Sequence, residues 1–264
     1  MKIPIGVSNH VSYNVNYDLV DTVKYARQSD FDIMQLFVYE GNLSNNDSLP
    51  EILRFAYSNK FDRIYFHTEN YLNKKIFAND HIKNLIEIIN PLSNVHLLFR
   101  FDEIEDLEGI LDSIEKLASL NDRDIYLENV FQSKNLGDID RKLRKFLAVF
   151  SLANLQHIKV RPTLNIPALF TDNSQFKKKS GLEWCCQIFN FFETKDVPLL
   201  LVLSDQKNYA PESIIPCAIG NGVIPYDAIF DFIKKTNISI EGIILQYFDK
   251  INPLKSRDYL VELL

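Results

Sequence analysis

The chain has 264 residues, a formal net charge of −6 and a hydrophobic fraction of 46%. This length can bury one large core, and α/β barrels often run to about 250 residues as one domain, so we expect a single domain over residues 1–264. The acidic balance argues against a nucleic-acid partner, and the chain lacks a long apolar run or leader, which argues against a membrane partner. Its cysteines have no CxxC spacing, so we expect a cytoplasmic protein with reduced thiols.

Short apolar runs alternate along the chain with amphipathic patterns, which is typical of βαβ units around a parallel sheet. The predicted strands are Ile3–Val7, Asp32–Val38, Arg63–His67, Val95–Arg100, Asp124–Asn129, His157–Leu164, Pro198–Ser204 and Gly242–Tyr247. Between them, spacings such as Ile82, Leu85, Ile86 and Ile89 predict helices with one buried face. About eight such units, ending in a short helix near Tyr259–Leu263, predict an α/β fold of the (β/α)8 barrel type. An open doubly wound sheet is the alternative, but no Gly-rich phosphate loop follows the first strand.

Two polar residues at predicted strand ends are candidates for catalysis, because barrel active sites lie at the carboxyl ends of the strands. His67 is suited to proton transfer or metal ligation, or else is a hydrogen-bonded rim histidine. Glu128 follows the apolar run Ile125–Leu127, where a carboxylate is costly unless it is paired, protonated or metal-bound. We expect Glu128 to be catalytic; an internal salt bridge to Arg100 or Arg161 is the alternative.

Those two arginines are predicted at the ends of the fourth and sixth strands. Two guanidinium groups near a barrel mouth could bind a carboxylate or phosphate with paired hydrogen bonds. Alternatively, Arg100 and Arg161 neutralise nearby acids, namely Glu128, Asp102 or Glu103.

Other strand ends carry further candidates. Asp205 either contacts a substrate or caps the turn that follows it. Gln246 can orient a ligand by hydrogen bonds but cannot act as a base. His10 is a weaker site candidate, whereas His96 and His157 are expected at strand starts with structural roles.

Two long loops on the same side, Glu40–Ser48 and Gln206–Ala218, either cover a ligand or are ordinary surface loops. Tyr39, Lys207 and Tyr209 lie in or beside them and could contact a substrate. The sequence contains no G-x-S-x-G, P-loop or HExxH signature, so these motifs assign no chemistry.

Several short segments resemble the xylose-isomerase-like barrel superfamily, which includes sugar isomerases, sugar epimerases and type IV apurinic-site endonucleases. The segments span nearly the whole chain: Ile5-Gly6 with His10-Val11-Ser12, Met34-Gln35-Leu36-Phe37, His67 with Tyr71-Leu72-Asn73, Leu127-Glu128-Asn129, and Ile219-Gly220-Asn221-Gly222-Val223-Ile224. The last segment is the most specific. The resemblance implies a barrel whose relatives hold divalent metals at the strand ends, and it brings Tyr71 into the expected site.

Several positions at which the superfamily carries metal ligands hold other residues: Asn165, Ala168, Val202, Gln246, and Arg100 or Phe101. By the resemblance, only His67 and Glu128 keep ligand chemistry. Divalent cations require several anionic or imidazole ligands, so we expect no tightly held metal, although a weak divalent site at Glu128 stays open.

Three functions are consistent with these residues. The first is a divergent isomerase- or epimerase-like enzyme for a small polar, anionic or sugar-like metabolite. In it, Glu128 is the base and His67 a second acid or base, and the substrate-binding residues are Arg100, Arg161, Asn165, Asp205, Gln246 and Tyr71. The second is an inactive binding or scaffold module with a protein partner or a second copy of the chain. The third, an abasic-site endonuclease, ranks last because its multi-metal site would be dismantled.

Overall fold

The structure, a computed structural model of the chain, describes residues 3–38, 49–78, 80–130, 139–170, 178–208 and 215–264. The barrel strands in these ranges are β1 Ile5–Ser8, β2 Ile33–Val38, β3 Arg63–Leu72, β4 Val95–Phe101, β5 Ile125–Glu128, β6 Arg161–Asn165, β7 Leu199–Leu203 and β8 Ile240–Leu245. They are parallel and close in the order β1-β8-β7-β6-β5-β4-β3-β2. The predicted (β/α)8 barrel is confirmed.

Helices connect the strands and pack on the outside of the barrel. In the described ranges they are α1 Leu19–Gln28, α2 Leu49–Ser58, α3 His81–Ile89, α4 Leu107–Leu120, α5 Ile139–Leu155, α6 Ile166–Phe170, α7 Lys178–Glu193, α8 Tyr226–Lys235 and α9 Asn252–Leu263, with 3-10 turns at Asn9–Val15 and Lys74–Phe77. Helix α1 begins where the Asp18 carboxylate accepts the Asp21 N–H, and α4 where Asp106 accepts the Gly109 N–H, both at 2.6 Å.

Two hydrophobic clusters follow from the alternation of side chains along each strand. The larger joins the outer strand faces to the buried stripes of the helices, including the predicted residues of α3. The smaller lies inside the barrel: Ile33, Tyr65, Leu98, Tyr126, Leu200, Val202 and Ile244. The inner cluster fills the middle of the barrel, so polar inner-face residues lie towards its two ends.

One predicted strand begins too early. His157 was expected to start the sixth strand, but it has a φ of 59° and terminates helix α5, where its N–H donates to the Asn154 carbonyl. Strand β6 begins only at Arg161. The shift moves Arg161 from the expected carboxyl end of the strand to its amino end. Among the described residues, no helix is long and apolar enough to cross a membrane.

Candidate functional site

Polar side chains collect inside the barrel because strand side chains alternate between faces. Tyr65, Leu98 and Tyr126 belong to the inner cluster. The next inward positions towards the carboxyl end therefore carry His67, Arg100 and Glu128. Three neighbouring strands thus bring two predicted catalytic residues and one predicted anion-binding residue to the same end of the barrel.

The carboxylate of Glu128 is almost completely buried, with 2% of the residue exposed. Its Oε1 accepts a hydrogen bond of 2.9 Å from the Asn165 amide nitrogen. Its Oε2 lies 3.3 Å from His67 Nε2, and both atoms are buried without a hydrogen-bond partner in the described residues. Burial raises the pKa of Glu128, while the Asn165 hydrogen bond and the Arg100 charge oppose this rise.

His67 is held as a neutral ring between Gln35 and Glu128. The Gln35 amide nitrogen donates to Nδ1 at 3.0 Å, which places the ring proton on Nε2, facing Glu128. Burial, followed by the charge of Arg100, lowers the pKa of His67 well below its ordinary value. A neutral imidazole beside a carboxyl group of raised pKa is an arrangement suited to proton transfer.

Arg100 is the cross-strand partner of Glu128, since the two residues are paired in the β4–β5 ladder. Its guanidinium carbon lies 5.0 Å from the centre of the Phe37 ring and 5.8 Å from that of Tyr71. Its Nε is buried without a hydrogen-bond partner, and Arg100 takes part in none of the ion pairs of the described residues. Arg100 also forms a side-chain hydrogen bond with Tyr71, and since a guanidinium has five N–H donors it can bind an anionic ligand at the same time.

The mouth of the site contains His10, which sequence reasoning ranked low. Its Nδ1 lies 3.0 Å from the Ser8 hydroxyl, and the Gln246 amide nitrogen approaches the ring at 3.4 Å. Burial and then the Arg100 charge lower the pKa of His10 to about 4. Phe37 contacts both histidines, with ring centroids 5.5 Å from His10 and 4.5 Å from His67. Phe37 therefore lines the site beside both histidines. The alternation of side chains along β2 from the inner-face residue Ile33 could have indicated that Phe37 faces inward.

An aromatic rim surrounds His10. Tyr13 and Phe248 are 52% and 47% exposed, and their ring centroids lie 5.6 Å apart. Tyr17 also contacts the His10 ring, at 5.7 Å. Asn16 and Tyr17 have φ values of 54° and 59°, a left-handed conformation that costs energy in residues other than glycine. The segment after β1 is thus folded back under strain in order to place these rings at the mouth.

Asparagine side chains tie neighbouring strand ends together. Asn9 follows β1, and its amide accepts the Phe37 N–H at 2.7 Å and donates to the Phe37 carbonyl at 2.9 Å. Asn129 follows β5, and its side-chain amide accepts the Asn165 N–H at 2.6 Å and donates to the Asn165 carbonyl at 3.2 Å. The Asn of the Leu127-Glu128-Asn129 motif therefore positions the residue that holds Glu128.

Asp205 has the capping role that sequence analysis weighed against substrate contact. Its carboxylate accepts backbone N–H groups of Gln206, Gly222 and Ile224 at 2.8, 3.0 and 3.3 Å. A Cβ on Gly222 would lie 2.1 Å from this carboxylate, and Gly220 has a φ of 86°. The Ile219–Gly222 motif is thus explained by backbone geometry around a buried carboxylate.

Arg161 lies at the opposite end of the barrel from Glu128, which corrects its expected place. Arg161 lies at the start of β6, where its cross-strand neighbour is Tyr126 of β5, and its Nε lies 3.8 Å from Asp124 Oδ2. Lys207 is exposed next to Asp205. Tyr39, Tyr209 and the loop Glu40–Ser48 lie outside the described residues.

The described ligand atoms fit a divalent cation poorly. No group of three His, Cys, Asp or Glu side chains converges among the described residues. Asn165 turns its N–H towards Glu128, and its oxygen accepts the Ala168 N–H at 3.1 Å. Among the described residues of this cluster, the candidate ligand side chains are Glu128, His67 and, at the mouth, His10, which do not converge as a group of three, and the Arg100 charge lies beside them.

A second concave surface, a groove, lies outside the barrel. It has a volume of about 390 Å³ and lies between helices α2 and α3, lined by Pro50, Arg54, Ile88, Pro91 and Leu92 among others. Since these helices pack outside the barrel, the groove is separate from the inner-face cluster around Glu128.

Comparison with known proteins agrees with this geometry at the level of fold. A xylose isomerase domain containing protein from Salmonella typhimurium superposes with a TM-score of 0.65 at 12% identity, covering 100% of this chain and 99% of the other. The fold is that of the xylose-isomerase-like TIM barrels. No family model matches the chain, and no curated protein matches its sequence.

Other solved structures align over similar lengths and carry the names of different enzymes. A D-allulose 3-epimerase from Methylomonas sp. gives a TM-score of 0.62 at 10% identity, covering 100% of this chain and 98% of the other. A family 2 AP endonuclease from Brucella melitensis gives 0.62 at 8% identity, covering 99% of both chains. Because an epimerase and an endonuclease match equally well, the function must be argued from the site.

Proposed function

We propose that this barrel binds a small polar metabolite at the carboxyl ends of its strands and moves a proton on it through Glu128 and His67, as an isomerase- or epimerase-like enzyme. The observation that carries the proposal is a group of buried polar atoms around Glu128 that have no hydrogen-bond partner among the described residues. They are Gln35 Oε1, His67 Nε2, Arg100 Nε, Glu128 Oε2 and Thr163 Oγ1. Buried polar atoms are rarely left without partners, so this inner-face layer is suited to bind polar ligand groups.

The residues divide naturally into two roles. Glu128 is the base, because its raised pKa favours accepting a proton once a carbon acid is placed against Oε2. His67, neutral and 3.3 Å away, is the second proton carrier. Arg100, Asn165, Gln246 and Tyr71 are the ligand-binding residues of the proposal. Arg161 and Asp205 are left out because one lies at the far end and the other caps a loop.

The experiment is solvent deuterium exchange into candidate ligands, followed by NMR, after a thermal-shift screen of sugar acids, sugar phosphates and hydroxy acids. We expect the Glu128→Gln variant to lose exchange by about 10²–10⁴-fold, the usual contribution of a general base. The matched control is Glu241→Gln, which changes a buried carboxylate near the amino end of the same barrel. Exchange that persists in Glu128→Gln, or disappears equally in the control, would contradict the assignment.

A binding module is the second candidate, and the amide side chains favour it. Asn165 and Gln246 stand at positions where a proton-transfer enzyme would profit from carboxylates, and neither can act as a base. Ligand binding that depends on Arg100 without any exchange into the ligand would support the module over the enzyme.

A further inference from the structure

In the described part of the site, the positive charge beside Glu128 is the guanidinium of Arg100. Arg100 and Glu128 are paired across β4 and β5, so their Cα atoms are about 5 Å apart and both side chains lie on the inner face. The rings of Phe37 and Tyr71 flank the guanidinium. Burial and, after it, this charge lower the pKa of the His67 and His10 rings, which places Arg100 amid the titratable groups of the site.

The Asn165 side chain presents a hydrogen-bond donor to Glu128 where a cation site would present an oxygen atom. The Asn165 amide nitrogen is 2.9 Å from Oε1, and its oxygen is used by a backbone N–H of helix α6. The Asp205 carboxylate is also used by backbone groups. A divalent cation at Glu128 would therefore meet one carboxylate, one imidazole, the neutral oxygens of Gln35 and Thr163, an N–H group and a guanidinium, and the last two oppose it.

We propose that the Arg100 guanidinium takes the place of a divalent cation in this site, so that it both keeps such cations out and holds the oxyanion of the ligand beside Glu128. The second half rests on the function proposed above, whereas the first half does not. A fixed guanidinium stabilises negative charge on a ligand oxygen without a metal, since its donors are in place before the ligand arrives.

The test is Mn²⁺ binding measured by calorimetry and electron paramagnetic resonance, without any substrate. Wild-type protein is compared with Asn165→Asp, with Asn165→Asp/Arg100→Gln, and with Asn165→Asp/Arg161→Gln as the matched control. Asn165→Asp adds a carboxylate beside Glu128, and the control removes the same charge at the far end of the barrel. We expect no stoichiometric binding to the wild type. We also expect Asn165→Asp/Arg100→Gln to bind at least about tenfold more tightly than Asn165→Asp or the control, because one nearby charge is removed.

Three results would overturn the proposal. One is near-stoichiometric Mn²⁺ in the wild type that is lost in Glu128→Gln, which needs no folded Arg100 variant. Another is Mn²⁺ affinity that is equal in Asn165→Asp and Asn165→Asp/Arg100→Gln, or no Mn²⁺ binding to Asn165→Asp/Arg100→Gln. The third concerns anions: weak binding of inorganic phosphate or acetate that is unchanged by Arg100→Gln removes the oxyanion role. Since none of these measurements uses turnover, failure to find a reaction would sink the proposed function and leave this result standing.

Discussion

The two ends of the barrel interior each contain a buried carboxylate, Glu241 and Glu128, but the two carboxylates are paired in different ways. At the amino end, Arg63 donates to Glu241 at 3.0 Å, and Arg161 lies 3.8 Å from Asp124. At the carboxyl end, Glu128 contacts the neutral side chains of Asn165 and His67 and has Arg100 only as a more distant charge.

The difference separates residues that hold the barrel from residues available to a ligand. Buried side-chain atoms without a partner among the described residues occur at both ends, for example Nδ1 of His96 and Oε2 of Glu128. What distinguishes the carboxyl end is a carboxylate and a guanidinium that are neighbours without forming an ion pair with each other. Removing one partner of an ion pair lowers the free energy of unfolding, whereas removing a group that forms no ion pair should mainly weaken ligand binding. The two ends should therefore respond differently to mutation.

The largest expected effect concerns the asparagines. Asn129→Ala leaves the buried N–H and carbonyl of Asn165 without partners, and we expect a loss of about 3 kcal/mol in the free energy of unfolding. Asn94→Ala near the amino end removes one hydrogen bond, to the Phe61 carbonyl, from a half-buried site and should cost about 1 kcal/mol. Urea denaturation measures both, and equal losses would show that Asn129 has no special role in holding the strand ends.

A smaller effect distinguishes the arginines. Arg63→Gln leaves Glu241 buried without its ion-pair partner and should cost about 2 kcal/mol, at the low end for such pairs because Arg63 is partly exposed. Arg100→Gln breaks no ion pair within the described residues, so we expect a loss under about 1 kcal/mol together with loss of anion binding. Thermal denaturation with and without ligand checks both; a stability loss at Arg100 as large as at Arg63 would contradict the distinction between the two ends.

The smallest effect is the response to acid. The folded pKa of His10 is about 4, against 6.5 for an ordinary histidine, so the folded state resists its protonation. Its contribution to stability is complete above pH 6.5 and is lost as pH falls towards 4. Between pH 7 and 5.5 we expect the wild type to lose about 1 kcal/mol through His10.

The variant His10→Asn should remove that part of the pH dependence, while the exposed His81→Asn should leave it unchanged. The pKa of His96, near the amino end, is also lowered to about 4, mainly by burial. An acid response that His10→Asn does not reduce would therefore assign the loss to His96 or to other groups.

Most of the fold was predictable because strand and helix periods are local properties. Tyr65 and His67, like Tyr126 and Glu128, are two residues apart and so face the same side of their strands. The polar inner layer could therefore be predicted once a barrel was recognised. The predicted start of the sixth strand was wrong because His157 resembles part of an extended run, although it ends helix α5 in a left-handed conformation. Backbone hydrogen bonds of the preceding helix decide that boundary.

By itself, the sequence determined the barrel and the presence of Glu128 and His67 at its carboxyl end, because periodicity fixes which face each strand residue occupies. Tertiary structure alone decided the partners. Closure of the barrel placed His67 beside Glu128, made Arg100 the neighbour of that carboxylate and moved Arg161 to the other end. It also turned Asp205 towards backbone N–H groups of the Gly220–Gly222 loop. Such contacts join residues far apart in the chain, so no local pattern contains them.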